Sequence, residues 1–408
     1  MLKNACALQS LSRKEMKPLS THTLKSILKI GFILSDFFAY PLRIFFMSGA
    51  VFAILACLGL IFAPSVFINL HQFIFLQSFL GAAFAGFLLT ALPLWCEVKS
   101  SLKPLSISLF VLLCLAFVAE IFSFNFAFLS FDFTLSYGIM SLFWFILLCQ
   151  ACLWLIKSKN TKNIALVLVL FGIFVLSLLK NFAYELNLDY AYIHLCVLAT
   201  LVVSFRVSLV LGNDALSSLS NPNLSFLPNA VLKNISCFLL FVFIVAILWD
   251  KSANLNAFLA FGVGFSLLSR LSSWHYSVFF RTHYTLILYL LFLSLSLVYI
   301  GLGFVYLLDI SYLSFATHAL NLLVLLAFVL FVFNTVSLKH TQNQIFNLSC
   351  GTRLSFIALF FAALSRSFLA LFAYSFYIII PALLVLFVFV YFIYKFFPIY
   401  KNNGFQGE

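Results

Sequence analysis

Two histidines bracket one apolar run. Within FATHALNLLVLLAFVLFVFNTVSLKHT (Phe315–Thr341), His318 and His340 are 340 − 318 = 22 positions apart. On a helix rising about 1.5 Å per residue, that separation is about 33 Å, close to a bilayer's hydrocarbon thickness. The two imidazoles therefore belong near opposite membrane faces and cannot share one metal. Neutral imidazole is the commonest protein metal ligand, and a pair suits the two axial positions of a haem iron. The rest of the chain is expected to pack as helices around this one, each able to add groups at either depth.

The other histidines fall at the same two levels. His71 and His194 open expected spans 2 and 6 on the side of His318, which lies about two turns into span 10. His283 opens span 9 on the side of His340, with His275 in the loop before it. An ionisable group inside a membrane marks a functional position by default, although a histidine at a helix end also suits the polar interface. His275 and His22 fit that plainer role. His318, the deepest, fits it worst. His71 is followed by Ser78, Gly81, Ala82, Ala85 and Gly86, a small-residue stripe that admits a neighbouring helix or a flat ring. Arg206 lies 206 − 194 = 12 positions beyond His194. It suits a haem propionate or an anionic substrate, and equally a cation snorkelling to the interface.

The elements that must position these groups follow from composition. Of 408 residues, 64% are hydrophobic and 8% charged, and the mean hydropathy is +1.16. A soluble chain needs more charge to cover its surface. The 9 Pro and 15 Gly fit long unbroken helices better than a turn-rich barrel. The fold class is therefore all-α: a polytopic transmembrane helical bundle of twelve spans. They are expected near 42–63, 71–95, 104–123, 136–156, 163–180, 190–211, 232–249, 255–270, 283–307, 311–335, 353–373 and 376–397. Residues 1–35 read as a basic cytoplasmic lead and 401–408 as a short cytoplasmic tail. The domain 36–400 reads as two six-helix halves joined by a loop over 212–231.

Charge supports that count. With the N-terminus inside, Lys103, Lys157, Lys162, Lys233, Arg281, Lys339, Arg353 and Lys401 fall on the cytoplasmic side. Only Lys180, Lys251 and Arg366 fall outside, with most acids, among them Asp189 and Asp309. The asymmetry places both termini in the cytoplasm, and the protein is expected to be a multi-pass protein of the inner membrane. The net charge of +12 then belongs to membrane boundaries, so no nucleic-acid partner is implied and lipid is the surrounding medium. The nine cysteines mostly read as small buried hydrophobes. Cys149 and Cys152 share a helix face as CxxC, which leaves a metal or redox role open. No P-loop, GxSxG, HExxH or paired carboxylates occur, so hydrolytic and phosphoryl-transfer chemistry is unsupported.

Several segments together resemble the NnrS family of polytopic membrane proteins. The sharpest are AGFLLTALPLW (Ala85–Trp95) after His71, and His318-Ala319-Leu320 followed 22 positions later by SLKHT (Ser337–Thr341). AYPLRIFF (Ala39–Phe46) is similar to the family's opening. His283-Tyr284 and Ser365-Arg366 match more loosely. The chain departs from the family where His-x-His-Glu-Met is common: here Asn69, Leu70, His71, Gln72 and Phe73 stand, without the second histidine or the acid. Near His340 it carries Thr335, Lys339 and Gln342 at family Arg and Gly positions, so it reads as a divergent member. The resemblance implies haem, with copper as an additional metal, and a role in nitric oxide or nitrogen-oxide metabolism and tolerance. It makes His71, His283, His318 and His340 the candidate metal ligands, and nitric oxide a ligand for haem iron.

Turnover of substrate, electron transfer and metal buffering are all open to such a site. Two other readings compete. A transporter would have a continuous polar cavity at mid-depth around Arg206, with matched helix breaks. A metal-free scaffold would leave the histidines as interface residues. A haem site requires His71 to face His194 or His318, with ring nitrogens about 4 Å apart across one iron.

Overall fold

The computed structural model describes residues 37–98, 102–125, 135–159, 161–182, 187–217, 224–249, 252–341 and 348–402. The basic lead 1–35, His22 and most of the tail lie outside them. Among the described residues the chain is helical without a strand. Twelve helices are long and apolar enough to cross a membrane: α1 (Pro41–Phe62), α2 (Pro64–Cys96), α3 (Lys103–Ser123), α4 (Leu135–Ser158), α5 (Thr161–Leu179), α6 (Leu188–Ser217), α7 (Ala230–Trp249), α8 (Ala253–Ser273), α9 (His283–Leu308), α10 (Ile310–Thr341), α11 (Cys350–Leu371) and α12 (Tyr374–Asn402). In hydrocarbon each backbone N–H and C=O must find its partner within the segment, which helices of this length supply.

Every helix packs against its successor, and α12 packs against α1, so the chain closes on itself. Two helices sit inside. α2 touches α1, α3, α4 and α10, and α10 touches α2, α6, α9, α11 and α12. Burial agrees: 94% of the apolar window of α2 is enclosed by protein and 67% of that of α10, against 22% for α3. The expectation centred the bundle on α10 alone, but α2 is the more enclosed of the pair.

The small-residue stripe of α2 is used for helix packing. A Cβ at Gly86 would stand 2.8 Å from Phe46 of α1, and one at Gly81 would stand 3.3 Å from Leu113 and Met140 on α3 and α4. Ser78, Ala82 and Ala85 are fully buried. Phe46 in turn stacks on Phe333 of α10 with ring centres 4.1 Å apart, which ties α1, α2 and α10 together at mid-height. Aromatic stacking of this kind adds about 0.5–1.5 kcal/mol beyond burial.

Four helices run well past their expected ends, and the extensions move the histidines. Pro64, with its fixed φ and missing N–H, starts α2 in its first turn. Measured from Pro64, His71 therefore stands about two turns inside α2 and does not open it. His318 stands about two turns inside α10 from Ile310, so the two histidines share one depth on parallel helices. His194 likewise lies inside α6, more than a turn beyond Leu188. His340 belongs to the last turn of α10 and does not follow it. Thr335 and Thr341 bond back to the carbonyls of Phe331 and Ser337, so their buried hydroxyls are satisfied within α10 without solvent.

The connection between α6 and α7 is shorter than the expected 212–231, because α6 continues to Ser217. Asn213 reaches forward to clamp Phe226: its Nδ2 donates to Phe226 O at 3.1 Å and its Oδ1 accepts from Phe226 N at 2.8 Å. Gly212 makes that approach possible, since a Cβ there would stand 2.2 Å from the Phe226 ring.

Candidate metal centre

Both interior helices change their winding immediately beyond their histidine. Ile74–Phe79 in α2 and Leu320–Leu326 in α10 form i→i+5 turns. Each begins within a single turn of its histidine, His71 or His318. Each such segment rotates the residues on either side relative to an ideal helix, and such segments concentrate at functional sites. Here they flank a cavity of about 460 Å³ between α1, α2, α6, α10, α11 and α12.

His71 and His318 line that cavity from opposite helices. Their ring centres are 6.4 Å apart and their planes differ by 24°. Each ring is oriented by a local bond: His71 Nδ1 contacts Ile68 O at 2.6 Å, and His318 Nδ1 contacts Ser314 O at 2.7 Å. A carbonyl only accepts, so Nδ1 is the protonated nitrogen in both. Nε2 is then the lone-pair nitrogen, the arrangement found in metal-ligating histidines.

Metal–nitrogen bonds of about 2.0 Å, with about 1.1 Å from nitrogen to ring centre, put two imidazoles facing across one ion about 6.3 Å apart centre to centre. The observed separation of 6.4 Å between near-parallel, stacked rings is of that size, and His318 Nε2 is taken by Arg366. No group of three or more His, Cys, Asp or Glu side chains placed for a metal exists among the described residues. Two protein ligands suit an ion whose other positions are filled by a macrocycle, or a low-coordinate copper, better than a four-coordinate structural zinc.

Arg366, in the last turn of the α-helical part of α11 (Cys350–Ser367), forms part of the same wall. Its Nη2 donates to His318 Nε2 at 3.4 Å, so a metal taken up at His318 must displace this bond. Its guanidinium lies 3.8 Å over the Tyr377 ring. On the facing wall Asp189 is neutralised by an ion pair with Lys180.

The remaining candidates lie elsewhere. His194 is 2% exposed, and its Nδ1 is 2.8 Å from Tyr299 OH, with Phe243 edge-on at 4.9 Å. It faces α7 and α9 and is absent from the lining of the cavity that holds His71 and His318. His283 sits at the opposite end, where its Nε2 accepts from Arg353 Nη1 at 3.0 Å. His340 is half-buried at that same end. Arg206 stacks 4.4 Å over Trp95 and bonds Lys162 O at 3.4 Å. It lines neither this cavity nor the small apolar pocket between α2, α6, α9 and α10. Cys149 and Cys152 are free thiols, half-buried on α4.

Three cavity residues escaped sequence reasoning as site members. Arg366 was visible as a loose family match and as an outer cation, Asn321 follows His318 by one helical step, and Tyr377 carried no signal. A family model described as NnrS protein matches residues 36–403. No curated protein matches the chain.

Proposed function

The chain belongs to the NnrS family, and from that premise we propose that it is a haem-binding membrane protein in nitric oxide or nitrogen-oxide metabolism and tolerance. His71 and His318 would hold the iron. The observation that carries the reading is their 6.4 Å ring separation at matched depth, with both Nδ1 atoms tied to backbone carbonyls. Haem iron, when bound, would supply one-electron chemistry, and nitric oxide would reach it only where one of the two histidines gives up its position.

The residues of the chain have separable tasks in this account. Ile68 O and Ser314 O fix tautomer and ring direction. The i→i+5 turns set the rotation of each histidine about its helix. Arg366 holds His318 Nε2 until a ligand arrives. Leu76, Phe79, Leu322 and Val385 supply an apolar wall that excludes water and strengthens electrostatics inside. Copper at the same pair is the alternative metal, since imidazole suits both. The charge asymmetry of the loops supports an inner-membrane location with both termini cytoplasmic.

The test is an absorption spectrum of detergent-purified protein from haem-replete cells, oxidised and dithionite-reduced, with metal content by mass spectrometry. A Soret band that shifts on reduction, and is lost or moved in both His71→Ala and His318→Ala, is the expected result. One copper per chain without a Soret band assigns the pair to copper. A spectrum without bands from protein free of both metals refutes the proposal.

A further inference from the structure

Arg366 is a buried charge without a matching anion. The residue is 7% exposed, and its Nη1 has no hydrogen-bond partner among the described residues. Neither ion pair found among those residues includes it: one is Lys180–Asp189 and the other Lys339–Asp214. Its partners are His318 Nε2 at 3.4 Å, the Tyr377 side chain, which also hydrogen-bonds it and whose ring lies 3.8 Å away, and the face of Phe315 at 5.7 Å. The closing turn of α11 contributes a favourable dipole of about half a charge, which leaves Nη1 itself unbonded. A guanidinium desolvated among apolar helices is costly unless paired and fully hydrogen-bonded.

Its position is nonetheless fixed from both sides. Ser365 Oγ donates to Phe376 O of α12 at 2.9 Å, and Ser367 Oγ donates to Phe315 O of α10 at 3.0 Å. The side chain lines the 460 Å³ cavity together with Asn321, whose Oδ1 is also buried without a partner. The Asn321 amide can turn to present either atom. A planar guanidinium with an unbonded Nη1, and an amide with an unbonded Oδ1 in the same cavity lining, match the two acceptor oxygens of a planar anion. Asp189 would oppose an anion in the same cavity, but its ion pair with Lys180 cancels that charge.

We propose that the Arg366 wall of the cavity is a subsite for a small planar oxyanion or carboxylate, held by Arg366 Nη1 and the Asn321 side chain. This goes beyond metal binding at His71 and His318 and does not depend on it. The same chemistry comes from two sources, a free anion or the carboxylate arm of a larger ligand in the cavity.

The experiment uses the full chain in detergent, stripped of metal with a chelator, at constant ionic strength. Formate and nitrate are titrated by calorimetry, with chloride as the non-planar control. Saturable binding at one anion per chain, weakened at least tenfold by Arg366→Gln and less by Arg366→Lys, is the expected result. The wild type supplies a second readout that needs no variant to fold. Phenylglyoxal modification of Arg366, followed by peptide mass spectrometry, is expected to slow in saturating formate. Metal-free protoporphyrin IX and its dimethyl ester separate the sources. Competition with formate by the diacid alone assigns the carboxylate arm, and indifference to both assigns a free anion. Absence of saturable formate and nitrate binding, unchanged affinity in Arg366→Gln, or an unprotected Arg366 overturns the proposal. None of these outcomes alters the spectra of the histidine variants, so the two readings fail separately.

Discussion

Replacing Gly86 by alanine is expected to weaken the junction of α1, α2 and α10, whereas the same change at Gly301 is expected to strengthen the protein. At Gly86 the added Cβ falls 2.8 Å from Phe46 Cδ1 and Cε1 and 2.9 Å from Phe45 Cβ. Ordinary contact begins at 3.4 Å, so both approaches are far too close for the ring to stay where it is. Phe46 cannot swing aside, because it is fully buried and stacked on Phe333. Phe45 Cβ moves only with its backbone. Overpacking of this sort costs about 1–3 kcal/mol, and the better helix propensity of alanine offsets about 1 kcal/mol of it. The net expectation is about 1 kcal/mol of destabilisation. At Gly301 no atom lies within 4 Å, so only the propensity gain of about 1 kcal/mol remains. The two variants should therefore differ by about 2 kcal/mol. Unfolding by sodium dodecyl sulfate in mixed micelles, followed by tryptophan fluorescence, measures the ranking Gly301→Ala above wild type above Gly86→Ala. Because Phe46 and Phe333 link the strain to α10, the Gly86 variant should also bind less haem per chain. A Gly86→Ala protein as stable as Gly301→Ala would refute the packing at the centre of the bundle.

Other expectations follow from single contacts. His194→Ala leaves Tyr299 OH without its buried partner, so stability should fall by about 1–3 kcal/mol while haem content per folded chain stays unchanged. Arg206→Gln removes a cation–π contact with Trp95 worth about 0.5–1 kcal/mol and should leave the optical spectrum as in the wild type. A shifted Soret band in either variant would contradict the assignment of the site to His71 and His318. Asn213→Ala breaks both bonds to Phe226, a loss of about 1–3 kcal/mol, and should speed proteolysis between α6 and α7 without altering haem content.

Much of the fold was legible because the lipid solvent writes it plainly. Runs of about 20 apolar residues bounded by basic residues can be little else, and all twelve spans appeared near their expected places. Ends were less legible. Whether α2 starts at Pro64 or His71 depends on how Asn69, His71 and Gln72 are received by neighbouring helices, which hydropathy does not encode. The depth of His318 drew attention to it, and His71 came from its setting beside the small-residue stripe; the fold places both on one cavity. The choice of partner was left open between His194 and His318. The bond from His194 to Tyr299 joins positions 105 apart in the chain, so nothing local could have revealed it. The i→i+5 turns were equally invisible, because a helix adopts them only when packing elsewhere compensates the poorer geometry. Arg366 read as a boundary cation, since an arginine at a span end usually snorkels. Its burial arises only because Phe315 and Tyr377, from two other helices, close over it.

The central claim is that His71 and His318 face each other across one metal. Electron paramagnetic resonance of the oxidised protein from haem-replete cells tests it most directly. The account predicts a low-spin ferric signal of the two-imidazole type. That signal should be lost in His71→Ala and in His318→Ala, and retained in His194→Ala, His283→Ala and His340→Ala. A signal that survives either of the first two substitutions would contradict it, as would haem-loaded protein that never gives the two-imidazole spectrum.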